Sequence, residues 1–365
     1  MLKKIIRDIL IIAGLFVLWA STSRNAMKFI SDRRCDDSSW FGTYQGNKGD
    51  LVAFAYLDKV KKFDSRKPHW FKRPAYDGTG NLVLYLSGDS YTEKIPDTAL
   101  AGLYAYKFGR RFRKSFEYTI DTSRQNLLVI QIAERYTRDY FGTTRIFQDV
   151  CKAVPGNNTV TSDIPEVPHA KYFPGLFTIL NPDNFFNKNI NQNLQYNLFN
   201  YNFIVPAMMY KALFNYSVFD RASGDVVISQ DKKQLFYKET VTANDISSSY
   251  SPLSPEDITS IINNLNVIYD HYKADGFTDV YLSIIPSTAS VMQPQWYNHF
   301  IPLVQKDPRL KMKIIDAYSV YSISPDKYFL PGDVHWNNDG MQVWISQLNK
   351  ILESRNEQRE GHLLK

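Results

Sequence analysis

Cysteine is scarce in this chain of 365 residues: only Cys35 and Cys151 are present. That excludes a disulfide-dense scaffold, and neither cysteine stands in the paired spacing of a structural zinc site. The histidines His69, His169, His271, His299 and His362 have no metal-ligand spacing either, so nothing in the sequence calls for a metal or another cofactor. Glycine and proline, at 17 each, are too few for a collagen-like or low-complexity chain. Charge of one sign is weak, with 43 basic against 37 acidic side chains and a formal net charge of +6. With no dense basic stripe and no matching motif, nucleic acid is excluded as a partner. The chain also lacks the Gly-x-Ser-x-Gly elbow of the α/β-hydrolases.

Hydrophobic residues make up 44% and charged residues 22%, the ordinary globular mix. Aromatics are plentiful at 15%, enough to fill a large core and still line a cleft. At the N-terminus Lys3, Lys4 and Arg7 precede an unbroken apolar run from Ile9 to Ala20, followed by Ser21-Thr22-Ser23. This reads as the basic region and hydrophobic core of an export signal or signal anchor over residues 1–24. The apolar run alone rises only about 18 Å as a helix, short of a bilayer core of roughly 30 Å. No Cys follows it closely, so a lipoprotein anchor is not expected. An extracytoplasmic, periplasmic location follows, with membrane association through this segment. There Cys35 and Cys151 either bridge, closing a long loop for about 4–5 kcal/mol, or are two separate thiols.

Residues 25–80 are polar, aromatic and irregular. From residue 81 the pattern changes. Leu82–Leu86 is a short apolar run between glycines, a buried-strand signal. A helix is expected around Asp97–Phe108, a strand at Phe116–Ile120, and a strong strand at Leu127–Ala133. Residues 142–249 break the alternation and read as an insertion; nine of the 22 positions from Asn181 to Asn202 are Asn. Within it Val226–Ser229 and Gln234–Tyr237 flank Asp231-Lys232-Lys233 as a hairpin. Alternation then resumes. Ser254-Pro255-Glu256-Asp257 starts a helix that Gly276 stops. Val280–Ile285 and Met312–Ala317 are buried strands around a helix near Gln295–Val304, and a last helix carries Met341, Trp344, Ile345, Leu348 and Leu352 on one face. Strands alternating with helices predict an α/β fold with a parallel sheet covered on both faces.

Two motifs carry chemistry. Gly88-Asp89-Ser90-Tyr91-Thr92 follows the first strand, where open α/β sheets hold their ligands. A helix beginning soon after would turn its free N–H groups on Ser90 and hold a developing oxyanion. Gly332-Asp333-Val334-His335-Trp336 precedes the last helix. A serine needs a base to take its proton, His is the usual base near neutral pH, and an acid fixes the imidazole tautomer. The same loop also reads as a plain helix cap with Asp333 and His335 in solvent, but the two motifs at opposite ends of one α/β region favour a triad.

Together these residues resemble the SGNH (GDSL-type) hydrolase superfamily, and Asp333-Val334-His335-Trp336 is similar to its alginate O-acetyltransferase and DHHW branch. The resemblance spans residues 81–141 and 250–355 as a catalytic domain. It implies a flavodoxin-like three-layer α/β/α fold, with Ser90 as nucleophile, His335 as base and Asp333 as its orienting partner. It further implies an O-acetyltransferase or esterase acting on a polysaccharide or cell-wall glycan, with an acyl donor and a glycan acceptor. A membrane acyltransferase partner delivering acetyl groups is implied for transfer. A non-catalytic glycan-binding protein on the same fold is the reading from another class. In the alginate enzymes the Asp-x-His segment comes first, whereas here the Ser does. The separate Gly and Gly-x-Asn-Asp blocks are missing, and Glu134-Arg135-Tyr136 stands where the second should fall. Arg135 is therefore a candidate oxyanion donor or holder of a substrate carboxylate, with Tyr91 and Trp336 as further candidate binding residues. Trp296 and Tyr297 are possible sugar-stacking neighbours. The basic cluster Lys107, Arg110, Arg111, Arg113 and Lys114 reads as a solvated helix end in preference to a contact for anionic lipid headgroups or an acidic glycan.

Overall fold

A computed structural model describes residues 1–31, 40, 42, 50–63, 74, 80–110, 116–142, 151–153, 190–222 and 224–363. The chain forms two compact units, one of residues 1–47, 53–60 and 163–223, the other of residues 48–52, 61–162 and 224–365. The region 142–249 is thus shared: 224–249, with its hairpin of Val226–Ile228 and Leu235–Tyr237, belongs to the larger unit. Cys35 lies outside the described residues.

The larger unit is built on five strands: β1 (Leu82–Gly88), β2 (Leu103–Arg110), β3 (Gln125–Ala133), β4 (Asp279–Ile285) and β5 (Lys313–Ile314). They pair in the order β2-β1-β3-β4-β5, and all four pairings are parallel. Alternate side chains enter opposite faces, as strand geometry requires. On one face Val83, Tyr85, Leu128, Ile130, Ile132, Val280 and Leu282 pack against Ile261, Ile262, Leu265 and Ile268 of the helix Pro255–Ala274, and against the helix Phe300–Gln305. On the other Leu82, Leu84, Leu86, Leu127 and Val129 meet Met341, Trp344, Ile345, Leu348 and Leu352 of the helix Asn338–Leu363. This is an α/β fold with a parallel sheet between helical layers.

Local signals explain the helix boundaries. Ser254 Oγ accepts from the Asp257 N–H at 3.0 Å while Asp257 Oδ2 accepts from the Ser254 N–H at 3.1 Å, a complete capping box. At the far end Gly276 takes φ +100°, which only glycine adopts readily, and the Phe277 N–H closes on the Tyr272 carbonyl.

Two elements differ from their sequence readings: the strand expected at Met312–Ala317 is only Lys313–Ile314, with Lys313 exposed, and the helix expected at 97–108 is missing. Residues 97–108 are not a helix: a 3-10 turn at Asp97–Ala99 leads into edge strand β2, so Lys107 and Arg110 lie on a strand. The backbone between turn and strand is held by another helix. Asn349 accepts from the Ala101 N–H and donates to the Ala99 carbonyl, and Asn356 donates to the Gly102 carbonyl. Helical bonding would have to give these up, and Tyr104, Tyr106 and Phe108 favour a strand on their own. Phe116–Tyr118 is a strand, as expected, but it pairs with Cys151–Ala153 in a separate two-stranded sheet.

In the smaller unit the helix Leu2–Thr22 is longer than its apolar run, because Arg7 and Asp8 pair with each other at 2.7 Å and are carried inside it. Its 21 residues reach about 31 Å, enough by length and composition to cross a bilayer or act as a signal anchor.

Leu265 is fully buried between helix and sheet, whereas Ser254 contributes only a cap. Leu265→Ala is expected to lower unfolding free energy by about 2–5 kcal/mol, and Ser254→Ala by about 1 kcal/mol. Urea unfolding of the full chain in detergent checks both, and equal losses would contradict this packing.

Candidate active site

The carboxyl ends of β1, β3 and β4 lie side by side, and each contributes to one place on the sheet rim. Gly88 ends β1 where a side chain does not fit: a Cβ would come within 2.1 Å of Thr92 Oγ1 and 3.0 Å of the Phe108 ring. Asp89 is buried and ties the turn to the neighbouring strand. Its Oδ2 accepts from the Ala133 N–H at 3.1 Å, its Oδ1 from the Tyr91 N–H at 3.0 Å, and its own N–H donates to Gln131 Oε1 at 3.0 Å. Thr92 Oγ1 donates to the same Gln131 oxygen at 2.9 Å. With its neighbours fixed on both sides, Ser90 stands exposed at the apex.

The second motif sits on a loop held as firmly. Phe329 and Trp336 pair across it in an antiparallel bridge, and the Leu330 N–H donates to the His335 carbonyl. Gln234 Nε2 donates to the Leu330 carbonyl at 2.7 Å, the Leu235 N–H to Pro331, and the Val52 N–H to Gly332. At Gly332 a Cβ would meet Val52 at 2.2 Å and the Phe63 carbonyl at 2.3 Å. Asn337 then caps the last helix, its Oδ1 accepting from the Gly340 N–H at 3.1 Å.

These two loops bring Ser90 Oγ to 2.8 Å from His335 Nε2, and His335 Nδ1 to 2.7 Å from Asp333 Oδ1. Asp333 Oδ1 also accepts from the His335 N–H at 3.2 Å, so one carboxylate holds both ring and backbone. A ring whose Nδ1 faces a carboxylate keeps its proton there and leaves Nε2 as an acceptor toward the serine. Behind the imidazole, the Tyr91 ring lies 4.7 Å from it and the Tyr91 hydroxyl donates to the Val334 carbonyl at 2.6 Å.

The supporting candidates separate. Trp336 is buried, edge-on to Tyr91 at 5.1 Å and against Trp344, so it packs behind the site and is closed to a substrate. Tyr297 is likewise buried, while Trp296 is exposed. The helix expected to begin beside Ser90 is replaced by a turn, so no helix N-terminus serves an oxyanion there. The chain makes a single helix-like closure, the Glu93 N–H reaching the Asp89 carbonyl at 3.1 Å, and Pro96 prevents it from being extended.

Arg135 opens the short helix Glu134–Phe141 at the end of β3. With Tyr91, Ala133, Thr240, Ser287, Thr288 and Val334 it lines a small pocket, and Tyr91 and Val334 are the chain neighbours of Ser90 and His335. Its guanidinium lies 4.7 Å from the Tyr136 ring and 4.8 Å from the Tyr237 ring. It makes no side-chain hydrogen bond or ion pair with a described residue, and its Nε is buried without a partner. Burial alone would lower its pKa; Tyr91, Tyr136, Tyr237 and Glu239 outweigh that and raise it, so Arg135 keeps its charge.

Glu134 points the other way and is fully enclosed. It accepts from the Ser287 N–H at 2.9 Å and from the Ser290 hydroxyl, fixing the start of the helix Thr288–Met292 and with it the pocket wall. Burial raises its pKa against these hydrogen bonds. Gln131 has no role in the sequence reading, where Glu134 stands only as the neighbour of Arg135. The usable signal was a lone Gln inside the strand Leu127–Ala133, since a polar side chain among buried apolar ones needs a partner.

No known family profile, curated protein or solved structure matches the chain.

Because the folded state holds the Glu134 proton more tightly than the unfolded chain, stability falls as pH rises above the ordinary glutamate value near 4.5. Glu134→Gln removes that proton while its amide oxygen still accepts from Ser287 and Ser290. Urea midpoints of both proteins at pH 5 and pH 8 are expected to shift in favour of the Gln variant at the higher pH. An unchanged difference would contradict a raised value.

Proposed function

We propose that this chain is an exported serine acyl-ester enzyme of the SGNH type, acting on O-acyl groups of a polysaccharide or cell-wall glycan. The observation that carries this reading is the Ser90–His335–Asp333 relay at 2.8 and 2.7 Å, assembled from residues 245 positions apart in sequence. The strand order with Ser90 at the end of β1 is that of the flavodoxin-like sheets, whose ligands bind at the strand ends where the order reverses. The N-terminal helix supports export and anchoring.

In this mechanism His335 Nε2 takes the Ser90 proton as Oγ attacks the ester carbonyl. Asp333 stabilises the imidazolium through Nδ1. The tetrahedral intermediate collapses, the leaving alkoxide takes the proton from Nε2, and an acyl-Ser90 remains. A sugar hydroxyl then gives its proton to His335 Nε2 and attacks the acyl carbon, and as the second tetrahedral intermediate collapses Ser90 Oγ leaves and takes that proton back from Nε2. The oxyanion is held by the Ser90 N–H and by Arg135, whose unengaged charge faces the adjoining pocket. Transfer draws on the resemblance of Asp333-Val334-His335-Trp336 to the O-acetyltransferases, with a membrane acyltransferase as donor partner. The exposure of Ser90 favours a second reading, an esterase in which water takes the acyl group by the same steps. If Ser90 has no covalent role, a glycan-binding protein remains.

Turnover of p-nitrophenyl acetate by the full chain, with and without acetylated glycans, tests this reading. Ser90→Ala and Asp333→Asn are each expected to lose about 10³–10⁴-fold in kcat. Arg135→Met is expected to lose about 10²-fold or more in kcat with a smaller change in KM. Activity indifferent to Ser90→Ala would overturn the proposal, and a rise in KM alone would make Arg135 a substrate-binding group.

A further inference from the structure

The smaller unit presents an aromatic face that the chemistry at Ser90 leaves unexplained. The helix Val205–Phe219 buries Val205 and Ala212 but exposes Tyr210 (63%), Phe214 (58%) and Val218 (56%), which with Phe203 and Ala207 form one stripe at helical spacing. Trp40, whose carbonyl accepts from the Phe203 N–H, is exposed beside the start of that stripe. Residues 184–219 contain no Asp or Glu; their polarity comes from Asn, with Lys188 and Lys211 as the sole charges. Lys59 lies 3.8 Å over the Tyr210 ring. An apolar stripe edged by Tyr, Trp and Lys, with Asp220 just past its end, matches the chemistry of a bilayer interface rather than of water.

Within the same unit lies the helix Leu2–Thr22, its apolar side chains exposed along most of its length. The helix Ile190–Phe199 closes its end: Asn193 Nδ2 donates to the Ser21 carbonyl at 2.8 Å and Asn197 Nδ2 to Ser21 Oγ at 2.9 Å. The last carbonyls of a spanning helix lack partners as the chain leaves the bilayer, and these uncharged amides supply one at that level. Asn193 and Asn197, two of the asparagines of the 181–202 stretch, thereby acquire a physical reason.

We infer that the Phe203–Phe219 face docks on the lipid surface from which Leu2–Thr22 emerges, lying in the interface as an in-plane helix. The occupant is the bilayer itself, because the face belongs to the unit that carries the spanning helix. This rests on Leu2–Thr22 being a retained anchor and is independent of catalysis at Ser90. The test uses the unaltered full chain in phosphatidylcholine vesicles containing a diazirine-bearing phosphatidylcholine, with adducts mapped by mass spectrometry after photolysis. Adducts on residues 203–219 several-fold above the background of the remaining peptides, alongside those on 2–22, are expected, and equally so in Ser90→Ala. Adducts on 2–22 alone, or on neither segment, would overturn the inference. A fluorophore at Phe214→Cys, in a chain whose Cys35 and Cys151 are Ser, gives a second readout. Quenching by nitroxide lipids supports the inference, whereas a blue shift without lipid quenching means protein covers the face and contradicts it.

Discussion

The carboxyl group of Asp89 is the constraint on which the rest of the site depends. It joins the end of β1 to the Ala133 N–H at the end of β3 and fixes the turn after it by accepting from the Tyr91 N–H. Gln131 completes the latch from inside β3 by accepting from both Asp89 and Thr92. The parallel register sets these strand ends side by side, so Ser90 after one and Arg135 after the next share a rim. A loop nearly the whole domain away in sequence then needs only to be held at the right depth. The hairpin, Val52 and the Phe329–Trp336 bridge do that from three sides.

Adjacent residues at the end of β3 are used in opposite senses. Glu134 turns inward, where burial favours its neutral form and serine partners accommodate it. Arg135 turns toward the pocket among tyrosine rings, charged, with Glu239 acting on it electrostatically and no ion pair to a described residue. A guanidinium held that way costs desolvation that an arriving anion would offset, and the proposed acyl transfer would generate one at Ser90. The pair thus divides wall-building from charge stabilisation, although the two residues could pass for a structural ion pair when read in sequence.

Much of the sheet was legible because its strands are short apolar runs with turn or polar residues on both sides, glycines around Leu82–Leu86 and Asp121–Asn126 and Glu134 around Leu127–Ala133. The helix at Pro255 was legible because its cap and its stop are both local. The edge strand Leu103–Arg110 was not, since its conformation is decided by Asn349 and Asn356 some 250 residues later in the chain. Ser90, His335 and Asp333 could be picked out by residue type and by their positions next to predicted elements. The Gln131 latch, the burial of Trp336 and the split of residues 142–249 between two units depend on tertiary contacts that no local pattern encodes.

Intact-mass analysis of the full chain after a brief pulse with an activated acetyl ester, run beside Ser90→Ala, addresses the central claim most directly. A gain of one acetyl group on the unaltered chain, located at Ser90 and missing from the variant, is predicted. No adduct under conditions where the ester is turned over, or an adduct that survives Ser90→Ala, would contradict a serine relay built on the Asp89 latch.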